Sequence, residues 1–160
     1  MHGFVINGEI SLSEGKSRLE LYGVLEDETP FVWTEDEPYI LGFVLSGTDL
    51  GAVKHRKVVA GKFKTMDRKE LDLVYFDTEE DHRAAGSQLP KESLIEWDVN
   101  PVHRFLMEKK IRGGVFFENA PEIKDGVGHF HKPAFKPSTF RPNLRVMSFD
   151  IEIGVESKEL

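Results

Sequence analysis

A chain of 160 residues with 28 acidic and 21 basic side chains carries a formal net charge of −7; 31% of it is charged and 39% hydrophobic. That balance supports a packed core of one ordinary or two small domains and excludes both a disordered chain and a uniformly basic one. No cysteine is present, so disulfides and thiolate metal sites are excluded and the cytosol is allowed. The longest apolar stretch, Tyr39 to Leu45, is far too short to span a bilayer, and no membrane partner is expected.

Gly3 to Ile10, Arg18 to Glu26, Thr29 to Trp33 and Tyr39 to Leu45 are β-rich runs separated by Gly, Pro, Ser or acidic residues. Residues 1–56 therefore read as an antiparallel sheet or partial barrel. Such units often support single-stranded nucleic acid, and Phe31, Trp33 or Tyr39, where exposed, can stack on bases at ~1–3 kcal/mol each. Core burial is the commoner fate of strand aromatics. Lys54-His55-Arg56-Lys57, followed by Lys62 and Lys64, is either a local positive face or one part of an ordinary mixed-charge surface.

Residues 57–125 read as a β-β-α-β-α-β unit, which makes the fold class α+β. Val58 to Lys64 and Glu70 to Phe76 pair as a hairpin around Met66-Asp67-Arg68-Lys69. Thr78, followed by Glu79, Glu80 and Asp81, has the signature of a capped helix start, and that helix should end near Leu89, before Pro90. Leu94 to Trp97 is a short strand. Asn100 caps a second helix with Pro101 in its first turn, and Gly113 and Gly114 should stop it after Lys109, Lys110 and Arg112. Val102, Phe105, Leu106 and Met107 form an apolar face for packing on the sheet. Val115 to Glu118 returns as a strand.

Residues 126–143 read as a basic, proline-rich connector. From Gly126 to Phe149 the chain has no Asp or Glu, while Lys132, Lys136, Arg141 and Arg145 interleave with phenylalanines. The four cations are candidate nucleic-acid contacts; the phenylalanines can equally anchor the linker. His129-x-His131 has strand spacing for a metal but no third ligand, and a loop pair is the better account. Gly126-Val127-Gly128 lacks the Lys-Ser/Thr of a phosphate loop and reads as a turn.

The run Val146 to Ile153 alternates as a strand, which puts Ser148, Asp150 and Glu152 on one side and Met147, Phe149, Ile151 and Ile153 on the other. The two carboxylates, with backbone positions roughly 6.5–7 Å apart, suit Mg²⁺ or Mn²⁺ better than zinc. Alone, an Asp-x-Glu pair is most often a solvated sheet face.

The stretch Lys132 to Glu152, with its Arg141-Pro142 pair leading into Asp150-Ile151-Glu152, resembles the junction between the N-terminal domain and the 3′-to-5′ exonuclease domain of family B DNA polymerases, most closely the bacterial DNA polymerase II branch. Asp98 to Glu108, containing Arg104-Phe105-Leu106-Met107-Glu108, is similar to the strand-to-helix segment of that family, and Gly114-Val115-Phe116-Phe117-Glu118 to the strand that follows it. Ile153 stands where the family usually has a small polar residue.

The resemblance implies that residues 1–143 are the polymerase N-terminal domain and that 144–160 begin an incomplete exonuclease domain. It implies a replication or repair polymerase with proofreading, in which this region is scaffold and guide for the single-stranded template. Asp150 and Glu152 would be catalytic ligands of two Mg²⁺ or Mn²⁺ ions in the intact protein. The remaining acids would lie beyond Leu160, so the fragment alone should be inactive and bind no metal. The expected partners are template single strand and primer-template DNA, with a sliding clamp through a further C-terminal region; the expected location is the cytoplasm, at the bacterial nucleoid. A module that binds single-stranded nucleic acid independently, or a purely structural one, is the alternative.

Overall fold

Alternation of apolar and polar residues builds the first sheet. In β2 (Lys16–Leu25), Ser17, Leu19, Leu21 and Leu25 are buried while Arg18, Glu20 and Tyr22 lie on the other face. The computed structural model describes residues 1–13 and 16–145; Asp150, Glu152 and the expected exonuclease strand lie outside the described residues. β1 (His2–Ser13) pairs with β2, which pairs with β3 (Pro30–Asp36), and the curled sheet is completed by β8 (Gly114–Phe117), β9 (Glu122–Lys124), β10 (Val127–His131) and β11 (Phe135–Pro137). Its order is β11-β8-β1-β2-β3-β10-β9, antiparallel except where β10 runs parallel to β3. A second sheet has the order β5-β6-β4-β7, from β4 (Ile40–Leu45), β5 (Lys57–Lys64), β6 (Glu70–Phe76) and the short β7 (Leu94–Ile95).

The α+β, β-rich architecture is as the sequence implies, but the strands are shared out differently. β4 leaves the first sheet for the second, while β8, β10 and β11 return to the first. The stretch 126–143, read as a connector, contributes two strands, and His129 and His131 sit on β10 rather than in a loop. Phe130 is the reason: it points inward to stack on Phe117 at 4.0 Å between ring centres, with Phe31 edge-on at 5.2 Å from Phe117. Burying each such ring stabilises the sheet by about 2–3 kcal/mol.

Both helices start where their caps dictate. Thr78 Oγ1 accepts from the Asp81 N–H at 3.0 Å to open α1 (Glu79–Gln88), and Asn100 Oδ1 accepts from the Val102 N–H at 2.8 Å to open α2 (Pro101–Glu108). α2 stops earlier than the glycines require. Lys110 enters the left-handed region at φ 58°, with Lys110 N–H bonded to Met107 O and Ile111 N–H to Leu106 O, a Schellman ending sealed by buried Ile111. Val102, Phe105 and Leu106 face the first core as expected, whereas Met107 is 58% exposed.

α2 joins the sheets. Val102 lies so close to β1 that a Cβ on Gly8 would come within 2.7 Å of its Cγ1. From the same helix Arg104, 6% exposed, donates to Glu96 Oε2 and to Glu96 O, both at 2.9 Å, and its guanidinium carbon sits 4.9 Å from the Phe43 ring centre on β4. Ile10 touches both hydrophobic cores, and Ser17 Oγ donates to Asp77 O just past β6.

In the second core Trp97 stacks flat on His82, 4.5 Å away at 6°, and Gly42 and Gly86 leave room for its ring. Burial, then the nearby Arg104 and Arg83 charges, push the His82 imidazole down to about 4. The unfolded chain therefore takes up a proton near pH 6.5 that the folded chain refuses until about pH 4. Stability should be full above pH 6.5 and fall by up to about 3 kcal/mol as pH drops toward 4. Urea unfolding at pH 7 and pH 5 checks this: His82→Gln should flatten the decline, and an unchanged slope would refute the assignment.

Candidate nucleic-acid interface

The connector cations do not form one stripe. Lys132 is exposed at the turn between β10 and β11, beside a groove containing Trp33 and Phe135. Lys136, on β11, is ion-paired with Glu118, whose carboxyl it holds below the usual range. Arg141 and Arg145 are exposed and share a cavity of about 510 Å³ with Glu26 and Glu28 from the β2–β3 turn. The candidates thus occupy separate surroundings, and Lys136 already has an anionic partner.

Of the aromatic side chains considered for stacking, Phe31 is 1% exposed and Trp33 3%, and both belong to the first core. Trp33 Nε1–H donates to Pro133 O at 3.2 Å, which ties the β10–β11 link down over β3. Tyr39 differs. It lies where the chain crosses from β3 to β4, is 51% exposed, and meets Tyr75 edge-on at 5.4 Å.

Cations gather on that pair. The Lys57 ammonium is 4.9 Å from the Tyr39 ring centre and 4.5 Å from that of Tyr75, and the Arg56 guanidinium carbon is 5.1 Å from Tyr39. Lys57 has no carboxylate partner among the described residues, while Arg56 reaches Asp77 only at 3.5 Å. Lys54 is differently placed: it grips Asp81 at 2.9 Å in the first turn of α1, which raises its own pKa. Burial, with Glu108 and Tyr39 nearby, raises the Tyr75 hydroxyl, so this tyrosine stays neutral at physiological pH.

Next to the patch, a cavity of about 390 Å³ is lined by Lys16, Ser17, Glu37, Lys54, Arg56 and Asp77. Lys16 and Glu37 are hydrogen-bonded, which raises the lysine and lowers the carboxyl. The surface is amphoteric, with positive charge concentrated at Tyr39. An exposed ring flanked by cations can take a base on its face and phosphates at its edge. The sequence signal for it was present in Pro38-Tyr39 and in Arg56-Lys57, but nothing in their spacing shows that the two meet.

His131 lies 3.6 Å from Asp36 and its Nδ1 is 3.1 Å from Thr34 Oγ1. Arg18 donates to Asp36, the main reason that carboxyl lies below its usual range. Among the described residues no cluster of three or more His, Asp or Glu side chains is placed to hold a metal.

Stability measurements separate the aromatic roles. Phe31→Ala or Trp33→Ala should cost about 3–5 kcal/mol, and Tyr39→Ala, which loses only the Tyr75 and cation contacts, about 1–2 kcal/mol. A Tyr39→Ala loss as large as that of Trp33→Ala would show that its ring is structural.

No protein-family model matches the sequence, and no curated protein matches it. A solved structure does: the family B DNA polymerase from the hyperthermophilic archaeon Pyrobaculum calidifontis, with a TM-score of 0.71 and 16% identity, over 90% of this chain and 21% of that one. This chain therefore has the fold of a segment that makes up about a fifth of the polymerase.

Proposed function

We propose that this chain is the N-terminal region of a family B DNA polymerase, of the bacterial polymerase II type, acting in DNA replication or repair. The observation that carries the reading is the shared fold over 90% of the chain. Support comes from the order of segments from Asp98 through Glu118 to Asp150-x-Glu152. The work of this region is to scaffold the enzyme and to guide the single-stranded template, for which Tyr39, Arg56 and Lys57 supply the contact surface. Guidance requires weak, sequence-tolerant contact, which stacking and phosphate attraction provide without reading base edges.

The donor set at Asp150 and Glu152 is oxygen only, which fits Mg²⁺ or Mn²⁺ but does not by itself complete a two-ion site. Those ions would supply activated water and charge neutralisation for proofreading in the whole protein, with further acids from beyond Leu160. The 160 residues alone would hydrolyse and polymerise nothing. DNA is the partner of the intact enzyme, a sliding clamp a second one, and the bacterial nucleoid its place of work.

The coding sequence beyond Leu160 is the first check: it should continue into further exonuclease acids and polymerase carboxylates, and a stop codon there would overturn the reading. In the full-length protein, Asp150→Ala with Glu152→Ala should abolish 3′-to-5′ degradation while primer extension persists. Retained degradation would remove the two acids from the site. A second reading, an independent single-strand-binding module, is favoured only by the Tyr39 patch. Fluorescence anisotropy of the isolated chain with an oligothymidine strand discriminates: the polymerase reading expects weak or no binding, because most of the template channel would come from other domains, and tight binding whose log affinity falls as log salt rises favours the module.

A further inference from the structure

Away from the Tyr39 patch, the link between β10 and β11 and the last turn of α2 enclose a groove of about 390 Å³ above β3. Its floor is aromatic. Trp33 lies 4.8 Å edge-on from Phe135 and 5.7 Å from Phe105, and both phenylalanines are half-buried, so ring surface remains open. Lys109, its ammonium 5.6 Å from the Phe105 ring centre, and Lys132 both line the groove. Both lysines are exposed, and neither is ion-paired among the described residues. Glu35, half-buried, is the carboxylate lining the same groove.

We propose that this groove holds one nucleotide of a single DNA strand, its base against Phe105 and Phe135, its phosphate between Lys109 and Lys132, and an exocyclic amine donated to Glu35. The assignment rests on the nucleic-acid reading above and adds a second point of contact to it. Its volume is near the lower end of the roughly 300–1,000 Å³ range of small-ligand sites, which suits one base rather than a duplex or a longer run. The charges divide the ligand: the two lysines take the phosphate, whereas the Glu35 carboxylate repels it and accepts from N–H groups. Adenine and cytosine offer an exocyclic amine, whereas thymine offers only a ring N3–H flanked by two carbonyls that a carboxylate repels, so dAMP and dCMP should bind more tightly than dTMP. Lys132, singled out in the sequence as a contact candidate, thereby acquires a defined partner.

The test uses the whole 160-residue chain and the indole N–H signals of its two tryptophans, with Trp97→Phe identifying that of Trp33. Trp33 is hydrogen-bonded to Pro133 on the groove wall, so occupancy should move its signal. The proposal expects dCMP and dAMP to shift Trp33 saturably, each about tenfold more tightly than deoxycytidine or inorganic phosphate alone. Lys109→Ser with Lys132→Ser should weaken dCMP about tenfold while spectral dispersion, and hence the fold, is kept. Inorganic phosphate acting as strongly as dCMP would overturn it, leaving only an anion site. Nucleotides that leave Trp33 unmoved, while an oligonucleotide still perturbs the Tyr39 amide, would overturn it and spare the proposed function. Silence at both positions would overturn it and remove the Tyr39 contact surface as well, leaving the family reading to the shared fold.

Discussion

The two sheets of this chain have separate hydrophobic cores, and α2, seated between them, is the main element that makes them one structure, with Ile10 and the Ser17–Asp77 hydrogen bond beside it. On one side Val102, Phe105 and Leu106 close the first core; on the other Arg104 reaches over Phe43 and holds Glu96 by side chain and backbone. The arrangement is demanding. Glu96 adopts φ 49°, and Arg104 Nε is buried without a partner among the described residues. A buried donor left unmade costs about 1–3 kcal/mol, so the charge is retained against a cost. Its partner Glu96 has a side chain 58% exposed, which keeps the desolvation of the pair modest.

The placement of the candidate surfaces follows from that joint. Because β3 and β4 belong to different sheets, the chain must cross between them at Glu37 to Tyr39, and the Glu37 N–H anchors the crossing on Ser17 O at 2.7 Å. Tyr39 is left outside both cores, where Arg56 and Lys57 from the start of β5 meet it. The groove at Trp33 arises on the other flank, where α2 ends early in its Schellman turn and β10 folds back parallel to β3. A helix continuing to Gly113 would alter that wall.

Local chemistry was legible in the sequence. Thr78 and Asn100 cap their helices as read, the β5–β6 hairpin pairs around its polar turn, and the first strands begin within a few residues of their expected positions. What stayed hidden was long-range or concealed by composition. β9 and β10 meet at Asp125-Gly126, both at positive φ, which is the strongest local hairpin signal there is; proline and histidine density nearby masked it. That β4 joins β6 rather than β3 depends on pairing across many residues, and no periodicity records it. Lys110 ends α2 at a position normally given to glycine, because the Ile111 contact offsets its strain. Of the candidate site residues, the sequence identified the cations but not their partners: Glu118 for Lys136, and the Glu26 and Glu28 cavity for Arg141 and Arg145.

Whether α2 does unite the sheets can be read from native-state hydrogen exchange at the Leu21 amide of β2 and the Val74 amide of β6, in the wild-type chain and in Arg104→Met. If the joint holds as described, both amides open with one common free energy, and the substitution lowers both by the same amount. If the Val74 amide alone loses protection while Leu21 is unchanged, the sheets are independent units and α2 belongs to the first of them only.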